Sequence, residues 1–181
     1  NKSKKVKKIN QNGSLIKKIL FISQPHKKLQ YKLSKLFGIE NYFGFSEYNV
    51  VNNILKNIDL NIINFFIKLH PNEKPDKFNI FKKKKISILS KISKDQIIKK
   101  FDLIIGMDSM LLLELYLMGG KVLSVRPNPK NFFYGNRLKV FPIIEKINNF
   151  DDLKKIVNNY KTRKISFKKK GITNIIKKLA K

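Results

Sequence analysis

The stretch DLIIGMDSMLLLELYLMGGKVLSV, residues 102–125, contains the patterns of a strand, a helix and a second strand in close succession. Residues 102–106 are mostly apolar, which is typical of a strand that is buried on both faces. The apolar segment 109–118 is long enough for a helix, and Gly119 supplies the residue type that commonly follows a helix end. Residues 121–125 predict the second strand. Such a unit is typical of a parallel sheet.

Three further apolar runs predict strands at 18–24, 64–69 and 85–89. Helices are predicted to begin after Ser46 and Ser93, because serine is a favoured N-cap residue. Strands that alternate with helices indicate a sheet that is covered on both sides. We therefore expect an α/β fold, a Rossmann-like parallel sheet with helices on both faces.

The predicted domain organisation is a basic linker or arm at 1–17 followed by a single domain at 18–181. Residues 26–45 show no clear pattern. After the strand at 121–125, the sequence predicts a short strand at 138–144 and helices at 150–160 and 173–179. Because the chain begins with Asn1 rather than methionine, we expect a fragment or a processed chain.

The net charge of +28 suggests a polyanionic partner. Only three of the 40 basic residues are arginine, however, whereas proteins that recognise nucleic acids favour arginine for its planar guanidinium group. Aromatic residues are also not interleaved with basic residues as in motifs that stack RNA bases. Nucleic acid is therefore a disfavoured partner, and an anionic membrane surface or polysaccharide is at least as compatible with the charge.

Several classes of protein are disfavoured by what the sequence lacks. It has no cysteine and two histidines, so we expect neither a disulfide nor a resident metal or cofactor. It also has no uninterrupted apolar run of the roughly 18 residues that a membrane helix requires. No signal peptide is visible. We therefore expect a cytoplasmic protein, with peripheral contact to the inner membrane as the alternative.

Parallel sheets bind ligands at the carboxyl ends of their strands, and polar residues follow the predicted strands at these positions. The candidate ligand-binding residues selected in this way are Gln24, His70, Ser90, Asp108, Ser109 and Arg126. Arg126 has two interpretations. It could pair with a phosphate or a sugar carboxylate, or it could form an ion pair with Asp108 or Glu145.

Ser109 and Glu114 have both a structural and a functional interpretation. Ser109 could only cap its helix, or its hydroxyl could also hold a phosphate at the positive end of the helix dipole. Glu114 is the one charged residue in an otherwise apolar helix, which predicts that it is buried. A buried carboxylate needs a partner, either the hydroxyls of a ribose or a lysine.

His70 stands at the end of a predicted strand and is followed by Pro71, which restricts the backbone of the histidine. An imidazole at this position could donate to a nucleotide phosphate or to a leaving oxygen. A histidine in a surface turn is the simpler alternative. If the functional interpretation holds, His70 is the candidate catalytic residue.

These elements resemble the C-terminal domain of GT-B glycosyltransferases. The order of Gln24-Pro25, His70-Pro71-Asn72-Glu73 and Asp108-Ser109 with Glu114 and Gly119 most resembles the bacterial sialyltransferase and polysialyltransferase group. Similar elements occur in CDP-glycerol glycerophosphotransferases and in UDP-N-acetylglucosamine 2-epimerases. The resemblance covers about residues 18 to 127.

The resemblance implies that His70 and Pro71 contact the phosphate and base of a CMP-sugar, and that Ser109 holds the phosphate. It also implies that the general base and the saccharide acceptor belong to an N-terminal domain outside this chain, because we find no acidic motif for that base. The sequence departs from the epimerases, since Met110 and Leu111 stand where those enzymes have paired glycines.

Three functions are therefore compatible with the sequence. The leading hypothesis is the donor-binding domain of a glycosyltransferase that uses a nucleotide-activated sugar, with CMP or CDP favoured, to extend a bacterial surface polysaccharide. In this hypothesis Gln24, Pro71 and Asp108 also belong to the nucleotide site. The second hypothesis is half of an enzyme similar to the 2-epimerases, and the third is a non-catalytic module that binds polyanions.

Overall fold

The computed structural model describes residues 18–38, 40, 43–81, 84–126, 145–147 and 152. These residues form six strands and four helices. The strands are β1 (Lys18–Ile22), β2 (Asn64–Lys68), β3 (Ile86–Leu89), β4 (Leu103–Gly106), β5 (Val122–Val125) and β6 (Glu145–Ile147). The helices are α1 (His26–Phe37), α2 (Glu47–Asn57), α3 (Lys94–Lys100) and α4 (Met110–Leu117), and one 3₁₀ turn spans Asn79–Phe81.

The strands form one sheet in the order β3-β2-β1-β4-β5-β6, and every neighbouring pair is parallel. This order is that of the Rossmann fold, in which the chain reverses direction across the sheet beside its first strand. Here β1 lies between β2 and β4, so the reversal point lies between β1 and β4. The predicted fold class is confirmed.

The central strands β1 and β4 are buried on both faces because, after Lys18, their successive residues are apolar or glycine. Ile19 and Phe21 of β1 face a core that includes residues of α2, whereas Leu20 and Ile22 face a second core with residues of α3 and α4. Side chains alternate between the two faces of a strand, so a continuous apolar run supplies both cores. Helices consequently cover both sides of the sheet.

Two of the predicted helix starts have the expected caps. The Ser46 hydroxyl accepts a hydrogen bond from the Asn49 backbone at the start of α2. Ser93 begins α3 with a capping box, in which its hydroxyl and the Gln96 side chain each satisfy a backbone N–H group of the other residue. These local hydrogen bonds explain why the two helices could be predicted from sequence.

Helix α1 lies in the region that shows no clear pattern in the sequence. It has no side-chain cap and no acidic residue in its first turn, and among its residues only His26 is buried. It ends at Gly38, whose φ of 65° is a left-handed conformation that favours glycine. The usual sequence signals of a helix start are therefore missing here.

Some predicted elements lie outside the described residues: the arm at 1–17, the strand at 138–144, and the helices at 150–160 and 173–179 except Asp152. The sixth strand of the sheet is formed by Glu145–Ile147, directly after the predicted strand. No helix in the described part of the chain combines the length and apolarity that crossing a membrane requires.

Candidate functional site

A cleft of about 650 Å³ opens at the carboxyl ends of β1, β2 and β4. Its location is the one at which open parallel sheets bind ligands, beside the point where the strand order reverses. The cleft brings together six of the predicted site residues, which come from three loops and from α4: Gln24, His70, Pro71, Asp108, Ser109 and Glu114. Two predicted residues, Ser90 and Arg126, do not line it.

Two hydrogen bonds join the loop after β4 to the loop after β1 and to the start of α1. The Gln24 side-chain oxygen accepts from the Asp108 backbone N–H at 3.1 Å, and the Asp108 carboxylate lies 2.9 Å from His26 Nε2. The His26 ring packs against Phe43 and Phe45. Gln24 and Asp108 therefore hold the two loops together where they line the cleft.

The two helices that begin near the cleft differ in how their N-terminal N–H groups are used. At α1, Pro25 has no N–H, the His26 N–H bonds to the Gln24 carbonyl, and the Lys27 N–H donates to the Glu47 carboxylate. A protein carboxylate therefore already occupies the positive end of α1. This helix start offers little to an anionic ligand.

The N-terminus of α4 opens into the cleft, because Ser109, Met110 and Leu111 all line it. The Ser109 hydroxyl accepts a hydrogen bond from the Leu111 N–H at 3.2 Å, so Ser109 is a helix cap. Gly106 allows this helix to pack closely on the sheet, since a Cβ at residue 106 would lie 2.7 Å from a methyl carbon of Leu112. Ser109 therefore caps its helix, as both interpretations of this residue require, and its role as a phosphate ligand stays a prediction.

Three hydrogen bonds donated by backbone N–H groups hold the His70 loop. The His70 N–H donates to Glu73 Oε2, and the Glu73 N–H donates to the His70 carbonyl, both at 2.9 Å. The Asn72 N–H lies 3.2 Å from His70 Nδ1. Because Nδ1 accepts this bond, the ring proton of the neutral imidazole is on Nε2, which makes Nε2 a donor.

Lys68 is a cleft residue that was not among the predicted site residues. It is the last residue of β2, and its amino group donates to the Leu69 carbonyl at 3.3 Å. Among the described residues, no carboxylate lies within ion-pair distance of it. Its position at a strand end, directly before a His-Pro pair, is the signal that could have identified it.

The predicted burial of Glu114 is wrong. Its side chain is 44% exposed and forms an ion pair with Lys94 of α3 at 2.8 Å. The buried face of α4 is formed by Leu112, Leu113 and Leu115, and Glu114 lies beside this face at the cleft. The apolar composition of α4 suggested a helix buried all round, but α4 has an exposed side.

Replacing Glu114 with glutamine should change the free energy of unfolding by no more than about 0.5 kcal/mol, because half-exposed ion pairs contribute little. Urea unfolding of Glu114→Gln beside the parent protein measures this effect. A Lys94→Gln variant is the matched control, since it removes the other partner of the same pair. A loss of several kcal/mol in Glu114→Gln alone would contradict the exposed position.

Arg126 follows β5 and is 1% exposed. It is therefore one of the largest fully buried side chains in the described part of the chain, and its location is in the interior rather than in the lining of the cleft. A direct contact between Arg126 and a ligand in this cleft is not supported by that placement.

A charge cluster next to the cleft was not predicted. Lys77 forms ion pairs with Glu47 and Glu73, and its amino group also donates to the Gln24 carbonyl. Tyr48 lies beside this cluster. Burial, followed by the negative charges of Glu47, Glu73 and Asp76, raises the pKa of the Tyr48 phenol.

Within the described ranges, no three histidine, aspartate or glutamate side chains are close enough together to hold a metal ion. No family model matches the sequence, and no curated protein is significantly similar to it. The function of the chain is therefore inferred from its fold and from the chemistry of the cleft.

Proposed function

We propose that the cleft binds a nucleotide-activated sugar and that the chain is the donor-binding domain of a glycosyltransferase. The observation that supports this proposal best is the convergence of three groups that favour an anion. Lys68 ends β2, His70 lies in the loop after it, and the N-terminus of α4 contributes the positive end of its dipole. All three line the same cleft and favour an anionic group such as a phosphate there.

The proposed chemistry is electrostatic. When the bond between sugar and phosphate breaks, negative charge grows on the departing phosphate oxygen. His70 Nε2–H and the Lys68 ammonium would stabilise this charge, and no covalent intermediate with the protein is required. The base that activates the acceptor hydroxyl, and the acceptor site itself, would belong to another domain, as in the GT-B glycosyltransferases that the sequence resembles.

The competing epimerase hypothesis requires two carboxyl groups that face the sugar, one as general acid and one as general base. The two carboxylates that line the cleft already have partners, since Asp108 bonds to His26 and Glu114 pairs with Lys94. Glu73, another acidic residue near the site, pairs with Lys77. These partners favour the transferase over the epimerase.

Calorimetric titration with CMP, CDP, UMP, UDP and GDP tests the proposal. We expect one base to be preferred, with CMP or CDP binding most tightly. We also expect no sugar transfer by this chain without an acceptor domain, which an assay with labelled CMP- and UDP-sugars would check. Sugar transfer by the chain without that domain would contradict the division of roles between domains.

Inorganic phosphate and heparin serve as controls in the same titration. A module that binds polyanions would bind heparin more tightly than any nucleotide and would ignore the identity of the base. Its affinity would also fall steeply as the salt concentration rises, because counterion release would drive the binding. That combination of results would replace the transferase proposal with the polyanion-binding alternative.

A further inference from the structure

Two buried carboxylates share one lysine next to the cleft. The side chains of Glu47 and Glu73 are each 2% exposed, and that of Lys77 is 10% exposed. Lys77 Nζ lies 2.6 Å from Glu47 Oε1 and also contacts Glu73 Oε1. Buried charges are costly without partners, so each carboxylate depends on the Lys77 ammonium that it contacts.

Besides their ion pairs with Lys77, Glu47 and Glu73 accept hydrogen bonds from different parts of the chain. Glu73 accepts hydrogen bonds from the Ser23 hydroxyl at 3.0 Å and from the His70 N–H at 2.9 Å. It therefore connects the loop after β1 with the loop after β2. Glu47 instead accepts from the Lys27 N–H at 2.8 Å, which places its second contact at the start of α1.

We infer that Glu73 is a positioning residue for His70. The His70 ring is oriented by the Asn72 N–H, and Pro71 between them has no N–H with which to hold the loop. The backbone of residue 70 is fixed on its other side by Glu73. The inference rests on the proposed function, because His70 matters for binding only if the cleft holds a phosphate.

Lys77 allows the Glu73 carboxylate to be buried beside the His70 N–H. It offsets the charge of Glu73 while leaving Glu73 Oε2 to accept from the His70 N–H. Lys77 also donates to the Gln24 carbonyl at 3.2 Å. The same lysine thus connects to two of the three strand-end loops that line the cleft, directly to the loop after β1 and through Glu73 to the loop after β2.

The test compares Glu73→Gln with Glu47→Gln. Each variant removes one negative charge from an equally buried side chain and leaves Lys77 with one carboxylate. In Glu73→Gln, the side chain keeps one oxygen, for which the Lys77 ammonium and the His70 N–H compete. We expect this oxygen to accept from the charged ammonium. The His70 N–H then loses its acceptor, whereas in Glu47→Gln it keeps its acceptor.

Two measurements separate the variants. Amide hydrogen exchange of His70 in the ligand-free protein should be about tenfold faster or more in Glu73→Gln than in Glu47→Gln, after exchange at Phe21 in β1 is used to correct for overall stability. Affinity for CMP or CDP should fall about tenfold more in Glu73→Gln, the equivalent of one hydrogen bond to a charged group. Equal exchange at His70 in both variants would overturn the inference.

Failure of this inference is distinguishable from failure of the proposed function. If the parent protein binds no nucleotide, the proposed function fails, and the exchange rates still decide whether Glu73 holds His70. If Glu73→Gln does not fold, Ser23→Ala replaces it, since this change removes a donor to Glu73 and alters no charge. We expect Ser23→Ala to speed exchange at His70 by a smaller factor, and an unchanged rate would overturn the inference.

Discussion

Replacing Lys77 with methionine is expected to lower the free energy of unfolding by about 3 to 5 kcal/mol, the usual cost of removing one partner from a buried ion pair. Methionine keeps the length and apolar character of the side chain, so little packing is lost. Glu47 and Glu73 would then lie buried without the ammonium that separates their charges. Urea unfolding followed by circular dichroism measures the loss.

Two control variants test whether the loss of stability comes from the buried ion pairs of Lys77. Lys74→Met removes a charge from an exposed lysine in the same loop and should change stability by no more than about 0.5 kcal/mol. Adding Glu47→Gln to Lys77→Met removes one of the two facing carboxylates and should restore part of the stability. If Lys77→Met has the same free energy of unfolding as Lys74→Met, the ion pairs of Lys77 do not stabilise the fold as expected.

Replacing Lys68 with alanine is expected to weaken binding of the preferred nucleotide by about tenfold to a hundredfold, which corresponds to roughly 1.5 to 3 kcal/mol for one hydrogen bond to a charged group. Stability should change little, because the Lys68 side chain is only partly buried. Calorimetric titration of the variant with the preferred nucleotide measures the change in affinity.

Lys85→Ala is the matched control for this prediction. Lys85 is exposed and precedes β3, so it lies at the opposite end of the sheet from Lys68. Both variants lower the net charge of the chain by one. If the two variants lose affinity equally, the overall positive charge drives binding, and Lys68 has no specific contact with the nucleotide.

The sheet could be predicted from sequence because its signals are local. The central strands are buried on both faces, and such strands appear as short continuous apolar runs. Ser46 and Ser93 identified helix starts through caps that reach only three residues along the chain. Polar residues at the strand ends could likewise be selected from the general rule on parallel sheets, and most of the residues selected in this way do line the cleft.

The features that were missed depend on contacts between distant parts of the chain. Glu73 and Ser23 are 50 residues apart, and no pattern within either loop shows that they meet. Lys77 is one lysine among many in the sequence, and only the fold places it between two carboxylates. The burial of Glu114 was mispredicted for a related reason, since the composition of a mostly apolar helix does not reveal which side faces solvent.

The position of β1 between β2 and β4 has a consequence for how the protein folds. Gln24 and Asp108, whose hydrogen bond joins the loops after β1 and β4, are separated by 84 residues. During synthesis β1 can pair with β2 on one side, but its other edge stays open until β4 emerges from the ribosome. Pairing across such a distance is slow, and an open apolar edge invites association with other chains. We therefore expect the cleft to form late in folding, after β4 has paired with β1.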